Sequence, residues 1–187
     1  DIMSMPLIKM LFSALNAISA YRAEDIISYI KCGYTDVTED ELNELESYIF
    51  RWNIYGRKFK NEDYFASNPD GYTQGFSELQ ANRLSTVLSA RNKVLSKLSI
   101  LENAFIKKRS AKECARAIFE FLDAHRVREQ IEKEIDESIS RKDAYELSQI
   151  WNILLKSLDN LAHICGDAVT SSEDFATLLR SALDGSK

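Results

Sequence analysis

Proline and glycine are scarce in this sequence, which contains two prolines and six glycines among its 187 residues. Both residue types interrupt helices, and here they fall between apolar stretches rather than inside them. Apolar residues mostly recur at intervals of three or four, and no stretch shows the alternation of a half-buried strand. With 45% hydrophobic and 28% charged residues, the composition is that of an ordinary globular protein. The sequence therefore predicts an all-α fold.

Long apolar runs and paired cysteines are also missing. No run approaches the roughly 20 apolar residues that a membrane-spanning helix needs. The opening stretch DIMSMPLIKM lacks the basic and cleavage regions of a secretory signal. The three cysteines are an odd number at wide spacing, which does not suit a disulfide framework and fits a reducing compartment. We therefore expect a cytoplasmic protein that has no membrane partner.

Three kinds of chemical site are absent from the sequence. No lysine directly follows a glycine, so the phosphate-binding Walker loop is missing. No lysine has an Asp or Glu two positions before it, the spacing with which a common nuclease motif joins a carboxylate and an ammonium at a metal–phosphate site. There is no Cys-x-x-Cys pair, and neither His125 nor His163 lies in a recognisable nucleophile–base motif. We therefore predict no catalytic residue, cofactor site or metal ligand within this chain.

About eight helices are predicted from the apolar spacing, with ends placed to within about two to four residues. Capping boxes mark two of the starts, one formed by Thr38 with Glu41 and the other by Ser110 with Glu113. We expect a single helical domain over residues 1–187, belonging to a longer chain, with an irregular loop at about 55–75. The approximate helix ranges are 6–20, 23–32, 38–52, 76–108, 110–122, 128–140, 145–165 and 173–183.

Both tryptophans lie at helical spacing from apolar neighbours. Trp52 continues the stripe of Leu45 and Ile49, and Trp151 lies between Leu147 and Leu154 in a longer stripe. Large aromatic residues in such stripes usually belong to a hydrophobic core. We therefore predict that both tryptophans are core residues, and that truncating Trp151 to alanine costs roughly 3–5 kcal/mol if its side chain is fully buried.

The charge distribution is uneven along the chain. The net charge of −5 gives no overall attraction to nucleic acid, so any such role depends on a local patch. Residues 51–60 contain four basic and no acidic residues, and residues 91–116 contain eight basic and two acidic ones. Basic side chains beside exposed aromatic rings fit a nucleic-acid backbone with unstacked bases, although a solvated helix face explains the same charges. The candidate DNA contacts are Arg51, Arg57, Lys58, Lys60, Lys107, Lys108 and Arg109.

The stretch LESYIFRWNIYGRKF, residues 45–59, resembles a segment of the B subunit of bacterial AddAB-type ATP-dependent helicase–nucleases. Three further stretches resemble that family in the same order: MPLIKMLFSAL (5–15), DIISYIKCGYTDVTEDELNELE (25–46) and IWNILLKSLDNLAHICGD (150–167). Asn53 stands where glycine is usual in the family, and Phe59 where tryptophan is common. Within residues 45–59, the residues that match the family pattern are Leu45, Glu46, Tyr48, Trp52, Ile54 and Gly56.

The resemblance implies an all-helical insertion in the second RecA-like domain of a helicase-like protein that resects double-strand DNA ends for recombination. It implies ATP, magnesium and an iron–sulfur cluster outside this segment, with DNA and the helicase–nuclease A subunit as partners. An inserted domain leaves and re-enters its host at nearly one place, so the helices near 5–15 and 173–183 should lie side by side. A self-standing helical scaffold for a protein partner is the main alternative, and an independent DNA-binding module is another.

Overall fold

The computed structural model describes residues 1–72, 75–106 and 109–185. Within those ranges the all-α prediction is confirmed: the chain forms nine α-helices and two short 3-10 helices, and the one strand-like feature is an isolated bridge between Ser110 and Val169. The 3-10 helices are Ile2–Ser4 and Glu62–Phe65. The α-helices are α1 (Pro6–Ala20), α2 (Ala23–Lys31), α3 (Glu39–Arg51), α4 (Arg57–Lys60), α5 (Glu78–Ile106), α6 (Ala111–Ala124), α7 (Val127–Glu137), α8 (Arg141–Cys165) and α9 (Ser172–Asp184).

The two capping boxes predicted from the sequence are both confirmed. The Glu41 N–H donates to Thr38 Oγ1 at 3.2 Å, and the Thr38 N–H donates to Glu41 Oε2 at 2.8 Å. At the start of α6, the Glu113 N–H donates to Ser110 Oγ at 3.2 Å and the Ser110 N–H donates to Glu113 Oε2 at 3.0 Å. Each box satisfies two of the backbone donors that a helix start leaves without a partner.

The structure differs from the predicted elements in two places. The stretch at 55–75, which we predicted to be irregular, contains the four-residue helix α4 and the 3-10 helix Glu62–Phe65. Helix α8 begins at Arg141 rather than near Tyr145, because the Ser140 hydroxyl caps it by accepting a hydrogen bond from the Lys142 N–H at 3.2 Å. Helices as short as α4 and the 3-10 helix Glu62–Phe65 are too short to show an apolar period, so periodicity does not reveal them.

The chain divides into two compact units, and the first consists of Met10–Leu98. In this unit α2 packs against α3, and α4 packs against the 3-10 helix Glu62–Phe65. Four aromatic rings form a continuous buried row beneath this second pair: Tyr21 lies 6.0 Å from Phe59, Phe59 lies 5.8 Å from Phe65, and Phe65 lies 5.5 Å from Tyr48, measured between ring centroids. Each ring is at most 4% exposed, so α4 rests on a packed aromatic core.

The second unit consists of Asp1–Lys9 together with Ser99–Lys187. Helix α8 packs against α6, α7 and α9, and the 3-10 helix Ile2–Ser4 packs against α9. The start of α6 is tied to the turn after α8, because the Ala111 N–H donates to the Ala168 carbonyl at 2.9 Å and the Lys112 N–H donates to the Gly166 carbonyl at 3.2 Å. The segment just before α1 therefore lies beside α9, whereas the side-by-side packing of α1 and α9 stays a prediction.

Trp151 is half-buried, so its predicted core position is only partly correct. Along the same stripe of α8, Leu147 and Ile150 are also half-buried, and burial is complete only at Leu154 and Leu158. Trp151 lines a surface cavity of about 340 Å³ next to side chains of α6. Helical periodicity identifies the apolar face of α8, but not how far its neighbours extend along 25 residues.

Replacing Trp151 with alanine should therefore lower the free energy of unfolding by about 1–2 kcal/mol, rather than the roughly 3–5 kcal/mol typical of a fully buried aromatic residue. Urea denaturation of the chain measures this difference. Leu154→Ala is the matched control on the same helix face, because Leu154 is 0% exposed and its truncation should cost about 2–5 kcal/mol. A Trp151 variant that is less stable than the Leu154 variant would contradict the half-buried position.

Candidate nucleic-acid interface

Helix α3 ends in a left-handed turn at Asn53. The φ angle of Asn53 is 51°, a conformation that asparagine adopts more readily than most residues. The Ile54 N–H reaches back to the Ile49 carbonyl at 2.9 Å, and the Asn53 N–H reaches the Phe50 carbonyl at 3.4 Å. These two bonds form a Schellman motif, which satisfies carbonyls at the helix end. Asn53 thus ends α3 in the way that a glycine would.

Gly56 redirects the chain from this turn into α4. Its φ and ψ angles of 60° and −134° lie in a region that only glycine adopts without strain. Its N–H donates to the Tyr21 carbonyl at 2.9 Å, which ties the turn to the end of α1 within the first unit. A side chain at this position would have room, since the nearest atom to a Cβ would be 3.8 Å away, so the requirement for glycine comes from the backbone.

The buried side chain of Arg91 holds the end of α4 in place. The side chain is 4% exposed, its Nε donates to the Phe59 carbonyl at 2.9 Å, and one terminal nitrogen donates to the Lys60 carbonyl at 2.8 Å. The guanidinium also lies 4.9 Å from the centroid of the Phe65 ring. Burial lowers the pKa of Arg91, while the carboxylate of Glu62 opposes that shift. The sequence grouped Arg91 with a basic surface, but in the structure it is a buried anchor for the end of α4.

Trp52 and Arg51 fix the turn at residues 68–71, which follows the 3-10 helix Glu62–Phe65. The Trp52 indole N–H donates to the Asn68 carbonyl at 3.1 Å, and Arg51 donates to the Asp70 carbonyl at 2.7 Å. Trp52 is half-buried, with its ring 5.0 Å from the exposed ring of Tyr72, so its predicted core position is only partly correct. Arg51, one of the candidate DNA contacts, is therefore already bound to the protein backbone.

The same turn is attached to α5 by the carboxylate of Asp70. Gln80 Nε2 donates to Asp70 Oδ2 at 2.8 Å, and Arg83 bridges Asp70 to Glu44 of α3, with its Nε 3.0 Å from Glu44 Oε1. The hydrogen bond from Gln80, followed by that from Arg83, lowers the pKa of Asp70. This network holds the turn in one arrangement relative to α3 and α5.

The side chains that reach the surface here form a basic and aromatic patch. Arg57 and Lys60 are exposed, and Lys58 is half-buried. The Lys58 ammonium lies 5.5 Å from the centroid of the Tyr55 ring and 5.7 Å from that of Tyr64, and both rings are about half exposed. Such distances are those of cation–π contacts. We call this patch the α4 surface, and it consists of Tyr55, Arg57, Lys58, Lys60 and Tyr64.

Comparison with known proteins finds similar sequences, although no family model matches the chain. The ATP-dependent helicase/deoxyribonuclease B subunit of Clostridium acetobutylicum is 32% identical over 161 residues, which are 83% of this chain and 14% of that protein. The proteins of the same name from Clostridioides difficile and Alkaliphilus metalliredigens are 29% and 24% identical, each over 97% of this chain and 16% of their own length. The chain is homologous to one region of the helicase/deoxyribonuclease B subunit. It spans only about one seventh of the length of these relatives.

The described candidate DNA contacts of this chain lie on different elements. Arg57, Lys58 and Lys60 lie together on α4, whereas Arg51 donates a hydrogen bond to the Asp70 carbonyl in the turn at residues 68–71. Arg109 lies in the second unit, where it is 3.4 Å from Glu113 at the start of α6. The remaining two candidates, Lys107 and Lys108, lie outside the described residues. Sequence reasoning missed Tyr64, which follows the basic segment and faces Lys58 only after the chain has turned.

The described part of the chain contains no cluster of side chains suited to binding a metal ion. Nowhere in residues 1–72, 75–106 and 109–185 do three His, Cys, Asp or Glu side chains form a group that could hold a metal ion. Cys32, Cys114 and Cys165 are not joined in disulfides. Burial raises the pKa of the Cys114 thiol, which makes it a poor nucleophile and ligand. These residues do not fit an iron–sulfur cluster. The helices in the same ranges are all too short or too polar to cross a membrane.

Proposed function

We propose that this chain is a noncatalytic helical region of an ATP-dependent helicase–nuclease B subunit that acts in DNA double-strand break repair and recombination. Its role is to support DNA binding and the architecture of the whole protein. Its partners are DNA and the helicase–nuclease A subunit, and its location is the cytoplasm. The support is the homology along most of the chain with proteins named as the helicase/deoxyribonuclease B subunit, together with the basic surface on α4. ATP, magnesium and the iron–sulfur cluster would act in parts of the protein outside this chain.

The α4 surface is the observation that carries the DNA-binding part of the proposal. Three basic residues lie within four positions, on a helix whose start is set by Gly56 and whose end is held by Arg91. A rigid backbone lets these side chains meet phosphates without a further cost for ordering the segment. The chain as a whole carries a charge of −5, so attraction to DNA would come from this local patch and not from the overall charge.

The position of the first residues supports an insertion in a larger protein. The 3-10 helix Ile2–Ser4, which precedes α1, packs against α9 within the second unit. An inserted region needs its entering and leaving segments close together, because the core of the host continues on both sides of the insertion. Proximity is also common in ordinary domains, so the homology and the α4 surface remain the main support.

Replacing Arg57, Lys58 and Lys60 together with alanine should weaken binding of the complete helicase–nuclease to DNA. Each lost phosphate contact should reduce the slope of log affinity against log salt by about 0.7–0.9, so three contacts would reduce it by roughly 2–3. Fluorescence anisotropy with labelled single-stranded and forked DNA at several salt concentrations measures both quantities.

The matched control for this variant removes the same charge from exposed residues of α7 and α8. Arg128, Lys133 and Lys142 each pair with a glutamate four positions later, at 2.9, 3.7 and 3.8 Å, and none belongs to the α4 surface. Their replacement with alanine should leave the salt slope unchanged. Equal effects of the two triple variants would show a general charge effect and contradict a specific contact at α4.

A protein-binding scaffold is the second candidate function, and one observation favours it. The first unit has an open groove of about 680 Å³ between α5 and the 3-10 helix Glu62–Phe65. Phe76, Leu84 and Leu88 supply much of its apolar lining, and Glu62 and Asp63 give its rim a negative charge. An apolar partner segment with basic residues would suit this groove. Unchanged DNA binding and salt slope in the α4 triple variant would favour this candidate over the first.

A further inference from the structure

Two tyrosines of the α4 surface are exposed, whereas several other tyrosines of the same unit are buried. Tyr55 is 53% exposed and Tyr64 is 47% exposed. Tyr21, Tyr29 and Tyr48 of the same unit are at most 4% exposed. The two exposed rings therefore contribute little to the core, and their position needs a different explanation.

The backbone beneath each of these rings is fixed. Tyr55 lies between the buried side chain of Ile54 and Gly56, whose N–H is bonded to the end of α1. The carbonyl of Tyr64 accepts a hydrogen bond from the buried Tyr48 hydroxyl at 3.3 Å, and the next residue, Phe65, stacks on the Tyr48 ring. Rigid aromatic side chains on a fixed backbone lose little entropy when they bind a flat partner.

Lys58 links the two rings. Its ammonium lies within 6 Å of both ring centroids, at 5.5 Å from Tyr55 and 5.7 Å from Tyr64. Its neighbour Arg57 is exposed one position earlier on α4. The surface therefore combines two partly open aromatic faces with two cations, and the ligand that needs both is a chain of flat rings joined by negatively charged groups.

We infer that Tyr55 and Tyr64 stack on unpaired bases of a single DNA strand, while Arg57 and Lys58 contact the phosphates beside those bases. This inference rests on the proposed function and specifies the form of DNA that the α4 surface takes. Paired bases lie inside a duplex and expose only their edges, so the rings would discriminate between unpaired and paired DNA. Stacking accepts any base, so the surface would not read a sequence.

The test compares two labelled single strands of equal length, oligothymidylate and an abasic strand that keeps every phosphate. In the complete helicase–nuclease, Tyr55→Ala with Tyr64→Ala should weaken binding to oligothymidylate by about tenfold for each tyrosine. Binding to the abasic strand, and the salt slope for both strands, should stay as in the parent because the basic residues remain. Tyr→Phe at both positions should keep the parent affinity, because the ring faces are kept.

Two further variants protect the test against trivial explanations. Tyr145→Ala removes another exposed tyrosine, which lies on α8 in the second unit, and should leave binding unchanged. Tyr→Leu at positions 55 and 64 keeps apolar bulk without an aromatic face, so it should behave as the alanine variant does even if the latter folds poorly.

Three outcomes would overturn the inference. Equal losses on the base-containing and abasic strands would assign the effect to Lys58 and the phosphates, which leaves the proposed DNA-binding function intact. Weaker DNA binding by the Tyr→Phe variants would assign the effect to the tyrosine hydroxyl groups or to folding. Parent-like binding in the alanine variants, while the Arg57, Lys58 and Lys60 triple variant binds weakly, would show contact with phosphates alone. If the triple variant also bound as the parent does, the proposed function itself would fail.

Discussion

Replacing Arg91 with alanine should lower the free energy of unfolding of the Met10–Leu98 unit by about 3–5 kcal/mol. Two hydrogen bonds from a charged donor, to the carbonyls of Phe59 and Lys60, are lost together, and each is worth roughly 1.5–3 kcal/mol. Both carbonyls belong to the end of α4, and the contact between the guanidinium and Phe65 is lost as well. The side chain is 4% exposed, so water does not replace these contacts easily.

Urea denaturation of the chain measures this loss, and two variants calibrate it. Arg57→Ala removes an exposed arginine of α4 and should change stability by less than about 0.5 kcal/mol. Arg91→Lys keeps a positive charge but has no planar fork to reach both carbonyls, so its stability should lie between those of the parent and the alanine variant. If Arg91→Ala were as stable as Arg57→Ala, the anchoring role of Arg91 would be refuted.

The Arg91 variant also has a consequence for the α4 surface. Arg91 is 4% exposed and does not belong to that surface, yet its side chain holds the carbonyls that end α4. Under the proposed function, Arg91→Ala should weaken DNA binding through loss of the fixed helix, while the exposed cations remain. This separates a positioning residue from the contact residues Arg57 and Lys58.

The features that sequence reasoning predicted well are those whose physical cause is local. Thr38 and Glu41 are three positions apart, as are Ser110 and Glu113, so each capping box is visible in four residues of sequence. The helix class follows from a period that the chain carries throughout.

The features that it missed depend on distant partners. Arg91 meets carbonyls 31 and 32 positions earlier in the chain, so the basic residues that follow it, Lys93 and Lys97, indicated the wrong environment. Tyr64 faces Lys58 because α4 ends at Lys60 and the chain continues into the 3-10 helix Glu62–Phe65. Trp151 shares its stripe with buried leucines, but burial depends on how far the packed neighbours extend. Composition and spacing carry no record of these distances.

Lys93 is a second basic residue that the structure removes from the surface patch, and its partner is Glu41. The Lys93 ammonium lies 2.8 Å from Glu41 Oε2 and 3.0 Å from the Asp36 carbonyl. Glu41 is 9% exposed and also accepts hydrogen bonds from the Ser89 hydroxyl at 2.7 Å and the Thr38 N–H at 2.8 Å. Burial by itself would raise the pKa of Glu41, but these partners lower the pKa to about 2.

This shift predicts how stability depends on pH. The pKa of Glu41 falls from 4.5 to about 2 on folding, so the folded chain favours the ionised carboxylate. Its contribution, on the order of 3 kcal/mol, is fully present above pH 4.5 and is lost as the pH falls from 4.5 towards 2. Glu41→Gln should therefore lower the free energy of unfolding at pH 7 by about 2–4 kcal/mol, and the difference from the parent should shrink towards zero near pH 2.

Urea denaturation at a series of pH values from 7 to about 2 measures the difference between the two proteins. Glu39→Gln is the matched control, because Glu39 is an exposed carboxylate in the same first turn of α3. The ionised Glu39 carboxylate is stabilised by the helix dipole, so Glu39→Gln should lower the free energy of unfolding by about 0.3–1 kcal/mol at pH 7. A Glu41 variant whose stability ran parallel to that of the parent between pH 5 and pH 2.5 would show that the carboxylate has no depressed pKa. In that case Lys93 would gain nothing from Glu41, and it would again be available to the basic surface that the sequence suggested.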